Sequence, residues 1–222
     1  MEAVVQNQLA NGVLVENFRD LTERVSDLLG RQGIKVMPYN QRGIDRFLNL
    51  PRSLQESIYS SLEKFYQLCE MAENDGVPFE DSGKSIIWWT LTRLGMVPSS
   101  DLMSHIQPGV SIEVYNAENV QIFRTFDILR KISYSLSEIV TYEWWELFER
   151  SSFVNQGMIQ MAQDAASGKI SGVHYTSFPE HEVREVMSEE KCSIRMRHLF
   201  ICPLKDKAGG FAGGISVFQM LN

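Results

Sequence analysis

Leu14, Phe18, Leu21, Val25 and Leu28 recur at intervals of four and three residues, the spacing that aligns side chains on one face of an α-helix. The pattern predicts a helix that stops near Gly30. It is also a heptad seam two heptads long, so the stripe suits helix packing within the chain or across a homodimer. A second helical pattern opens at Pro51, where Ser53 and Glu56 have capping-box spacing. It continues through Leu54, Ile58, Leu62, Phe65, Leu68 and Cys69 to the turn signal Asn74-Asp75-Gly76. A third runs from Ser82 to Gly95 through Ile86, Ile87, Trp88, Trp89 and Leu91. Pro98, Ser99, Ser100 and Gln107-Pro108-Gly109 then interrupt regular structure.

Beyond Pro108 the period changes. Val110, Ile112 and Val114 alternate with Ser111, Glu113 and Tyr115, as in a half-buried strand. A turn at Ala117-Glu118-Asn119 leads to a second short strand through Val120, Ile122 and Phe123. Helical segments fill about 126–166, with Phe153, Met158, Met161, Ala162 and Ala165 placed on one face of the last. Three strands follow at about 181–187, 193–203 and 211–220, the last two joined by a Gly- and Asp-containing loop. The chain therefore divides into a helical N-terminal region, 1–105, and an α+β unit, 108–222, built on an antiparallel sheet. Both faces of the final hairpin turn apolar, so something covers the outer face: the N-terminal helices or a second subunit.

The α+β unit resembles the PAS domain family. Tyr134-Ser135-Leu136-Ser137-Glu138-Ile139 is similar to the family's GYS-xx-EL signature, and Trp144-Trp145-Glu146-Leu147-Phe148 to its W-x-x-L-F stretch. Cys202-Pro203-Leu204-Lys205-Asp206, with Gly209-Gly210 and Gly213-Gly214-Ile215, is similar to its closing hairpin. The resemblance covers about half the chain. It implies a signal-input protein whose PAS-like domain binds a small molecule or a protein partner and controls a dimer arrangement. The alternative is a non-enzymatic scaffold or transcription-regulating module with a filled core. Inward parity and helix phase select Ile122, Leu129, Phe148, Met158, Met161, His198 and Phe200 as pocket residues. Some members bind haem through a histidine on the long helix, but none occurs between Phe153 and Gly168. The cysteine segment of flavin-binding members is missing too, so haem and flavin are disfavoured and no cofactor is expected.

Composition narrows the partners. A net charge of −7 argues against direct nucleic-acid contact, which needs a concentrated basic surface. Three scattered cysteines form neither a disulfide framework nor metal-ligand pairs, and no apolar run reaches membrane-spanning length. With no signal-peptide pattern at the N-terminus, a cytoplasmic location is expected. Other motifs are structural on this reading. Gly83-Lys84-Ser85 lacks the earlier glycine of a phosphate loop, since Pro78 stands there, and Gly209–Gly214 lies between strands rather than before a helix. Glu146, Glu149 and Asp164 form no catalytic pair, and no nucleophile–base set is present. The chain is not expected to be an enzyme.

Overall fold

The computed structural model describes residues 2–79 and 84–221, with side-chain positions from residue 12 onward in that range. Five helices come first: α1 (Glu2–Arg31), α2 (Gln41–Asn49), α3 (Arg52–Asn74), α4 (Lys84–Leu94) and the short α5 (Leu102–His105). The α1 stripe is buried within the single chain, with Phe18 fully enclosed and stacked on Phe47 of α2 at 4.0 Å. Its apolar face is thus used for intramolecular packing. At α2, Asn40 accepts a hydrogen bond from the Gly43 N–H, as an N-cap side chain does. The buried Gln55 amide donates to the Phe47 carbonyl at the other end.

The Ser53–Glu56 capping box does not form. The N-cap is Pro51, two residues before Ser53, with no side-chain cap, and Glu56 instead accepts from Arg52. The predicted stop holds, with α3 ending at Asn74 and Gly76 taking a positive φ of 68°. Ser82 and Gly83, where the third helix was expected to open, lie outside the described residues.

The C-terminal half continues with β1 (Ser111–Asn116), β2 (Gln121–Arg124), a 3-10 turn at Ile128–Arg130, α6 (Leu136–Thr141), α7 (Trp144–Leu147) and β3 (Phe148–Glu149). Then follow α8 (Ser152–Ala166), β4 (His174–Tyr175), β5 (His181–Glu185), β6 (Ser193–Lys205) and β7 (Phe211–Leu221). The strands form one sheet in the order β2-β1-β7-β6-β5-β3, with β4 added to β6, and every pair is antiparallel. The fold is α+β: a helical N-terminal part and a sheet in the C-terminal half. Gly213 permits the closest approach of β7 to β1. It has φ 150°, and a Cβ there would lie 2.0 Å from the Tyr115 carbonyl oxygen.

One register irregularity organises the sheet. His198 pairs with Phe218, whereas Phe200 pairs with Val217, so Leu199 is an extra residue in β6. Such a bulge reverses the alternation of side chains beyond it. On one face lie Ile112, Val114, Phe123, Phe200, Cys202, Ile215 and Val217, as paired residues share a face. The N-terminal helices cover this face: Phe65 of α3 meets Phe123 at 5.6 Å, Ser99 touches Cys202, and His105 of α5 meets Phe200. The buried core runs without a break from Leu14 to Phe218 across the 105–108 boundary.

Candidate functional site

The opposite face carries Glu113, Tyr115, His198 and Phe218, and α8 packs across it onto β6 and β7. Val154 and Ala165 are the buried residues of α8, while Met158 and Met161 are half-buried. This phase differs from the expected one. Phe153 is 63% exposed and Ala162 is exposed, because Val154 takes the inward position one residue later. Phe178, from the loop between β4 and β5, packs against Gly157, where a Cβ would approach its ring to 2.4 Å. Thr176 holds that loop to the bulge, its N–H donating to the Leu199 carbonyl and its hydroxyl to the His198 carbonyl.

Under the start of α8 lies a cluster of polar groups. Arg150, between β3 and α8, places its guanidinium 4.5 Å from the Trp144 ring centroid, and its Nη1 lies 3.4 Å from His198 Nε2. Arginine has no acceptor, so Nε2 accepts and the His198 proton sits on Nδ1. His181 stacks on His198 at 5.5 Å. Its Nδ1–H donates to the Pro179 carbonyl, which leaves Nε2 with a free lone pair. Three side-chain atoms here are buried without a partner: Arg150 Nε, His198 Nδ1 and His181 Nε2; Asn155 Oδ1 on α8 is unpartnered as well. Of the three, two are donors and one is an acceptor, in a place where an unmet polar group is costly.

The electrostatics are equally unbalanced. Burial lowers Arg150 to about 10, partly offset by Glu113 and Tyr115. Glu113 is already engaged, accepting from the Tyr115 hydroxyl at 2.7 Å and facing Arg124 at 3.6 Å. Burial, with Arg150 and His181 adding repulsion, lowers His198 to about 3. His181 is lowered mainly by burial, and burial raises the Tyr115 phenol well above its ordinary value. At neutral pH the site therefore holds one guanidinium cation beside two neutral imidazoles.

The seven pocket residues selected from sequence do not all meet. Met158, Met161 and His198 belong to the α8 side. Phe200 does not: the Leu199 bulge turns it to the other face, against Tyr175 and His105. Ile122, Leu129 and Phe148 are buried in the continuous core. Arg150, Asn155, His181 and Phe178 were not anticipated. The β5–β6 register brings His181 to the site: it pairs with Met196, which puts the two histidines on one face, and the sequence alone does not fix that register. Nothing in the sequence marks Arg150. Two open surface hollows lie elsewhere, one along Ser26, Arg31 and Val36, the other along Asn40, Arg46 and Tyr142.

No group of three or more His, Cys, Asp or Glu among the described residues could hold a metal. No described helix is long and apolar enough to cross a membrane. No family model, curated protein or solved structure matches the chain.

Proposed function

We propose that this chain is a cytoplasmic, non-enzymatic signal-input protein. On this reading a PAS-like domain, about residues 108–222, holds a small molecule between α8 and the sheet and relays its presence through the quaternary arrangement of a homodimer. The order of two strands, then helices with the two-residue β3 among them, then the closing strands that end in β5, β6 and β7 supports it. So do the positions of the motifs: Ser135 and Glu138 form the capping box of α6, and Asp206 orders the β6–β7 turn by accepting from the Ala208 and Gly210 N–H groups. The observation that carries the reading is the cluster of three unpartnered buried polar atoms at the start of α8, on Arg150, His198 and His181, a constellation that a ligand would complete. Half-buried Met158 and Met161 on α8 suit an adaptable wall.

A filled interaction module is the second reading, favoured by the burial of Ile122, Leu129 and Phe148 in the main core. Methyl-labelled methionine NMR of the full chain against a library of small polar molecules separates the two. A sensor gives saturable shifts at Met158 and Met161 with exposed Met71 unmoved, and light scattering shows a ligand-dependent change in oligomer. If no library member moves these methyls and the oligomer is indifferent to every one, the module reading replaces the sensor.

A further inference from the structure

Resting on the small-molecule reading, the donor and acceptor pattern under α8 narrows the ligand class. We propose that the site receives a small monocarboxylate, held by the unpartnered Nε edge of the Arg150 guanidinium and by the His198 Nδ1–H. The Arg150 group turns Nη1 toward His198, and the edge bearing Nε is without a partner. That edge fits the two oxygens of a carboxylate, since guanidinium–carboxylate pairs form parallel, charge-assisted bonds. His198 Nδ1–H offers a further donor. His181 Nε2 is an unpartnered acceptor, stacked beside His198, that suits a hydroxyl or amide on the same ligand.

Charge selects the anion. Arg150 is the only cation of the cluster at neutral pH, because His198 and His181 are held neutral by burial. Glu113, the nearest acid that it feels, is already matched by Arg124. A carboxylate with one negative charge neutralises the guanidinium. A dianion would leave a surplus negative charge in a partly desolvated place, which is unfavourable, so phosphate esters are excluded from the class. The Trp144 face attracts the guanidinium but gives Nε–H no lone pair. Phe178, seated on Gly157 and 6.4 Å from His198, supplies an apolar wall for the remainder of the ligand.

The test uses the full chain at constant ionic strength, with acetate and benzoate as probes and benzyl alcohol and inorganic phosphate as comparisons. The Arg150 Nε–Hε and His198 Cε1–H resonances are expected to shift saturably with at least one carboxylate. Affinity by calorimetry should fall at least about tenfold in Arg150→Met, as loss of a charge-assisted pair implies, with a smaller loss in Arg150→Lys. If Arg150→Met does not fold, the wild-type resonances and Arg150→Lys decide. Absence of a saturable shift with either carboxylate, equal affinity in the variants, or tighter binding of phosphate overturns the assignment. Benzyl alcohol binding where both carboxylates fail overturns the anion class and leaves the small-molecule reading standing. Silence of all four probes at these resonances and at the Met158 and Met161 methyls counts against both.

Discussion

His198 is 7% exposed and faces Arg150 and His181, so a proton on its ring would be buried beside a cation. The folded protein holds it down at about 3 against an ordinary 6.5. Between those values the unfolded chain binds the proton and the folded chain does not. The stability associated with neutral His198 is therefore complete above about pH 6.5 and declines as pH falls toward 3, by up to about 1.4 kcal/mol per pH unit. Urea unfolding at pH 7.5 and pH 5.0 is expected to show a larger loss for wild type than for His198→Phe; equal losses would mean that the ring is protonated without cost. At this scale the sequence was only partly legible. Inward parity puts His198 and Phe200 on one face, but nothing in the residue types announces the extra residue at Leu199. Phe200 was therefore assigned to the wrong side. Arg150 was missed because its importance lies in lacking a partner, which a sequence does not display.

Among the elements, those with long periodic patterns were readable: α1, α3 and the β6–β7 hairpin follow from stripe, turn and alternation. Short ones were not. The nine-residue α2 offers only Gly43, Ile44 and Phe47 as buried positions, too few to show a period, and β3 and β4 are two residues each. What fixes α2 is a tertiary contact with α6. Glu138, 1% exposed, accepts from the Asn40 amide at 2.7 Å and from Arg42 at 3.2 Å, so the motif glutamate of α6 also anchors the preceding helical layer. Gly43 lies so close to α6 that a Cβ would sit 2.1 Å from Ser137 Oγ and 2.9 Å from the Glu138 backbone nitrogen. Gly43→Ala is expected to cost about 1–3 kcal/mol through overpacking. Gly12→Ala in α1, with open space around it, should instead stabilise by roughly 0.5–1 kcal/mol. Thermal unfolding of the two variants checks the pair, and a harmless Gly43→Ala would show that α2 is not seated on α6.

At the scale of the molecule, the N-terminal helices and the sheet share one core, because the face carrying Phe123, Phe200 and Val217 is apolar and needs a cover. Sequence reading left that cover open between the helices and a second subunit. The structure assigns the helices to it through Phe65, Phe79 and the α5 segment. Phe18→Glu combined with Leu21→Glu is accordingly expected to abolish the fold, since both side chains are at most 1% exposed in the single chain and buried charges without partners are costly. Circular dichroism with light scattering reads the outcome, and a folded monomer would mean that the stripe serves a dimer seam. With the outer face closed, the α8 side is left as the place where an incoming molecule meets unpartnered polar groups. Native mass spectrometry of the full chain, wild type beside Arg150→Met, tests that claim most directly, since it counts bound ligand and subunits in one spectrum. The account predicts uptake of one benzoate or acetate per wild-type chain and, at the same ligand concentration, a much smaller bound fraction in the variant, as an at least about tenfold weaker affinity implies; equal uptake by both, or by neither, would contradict it.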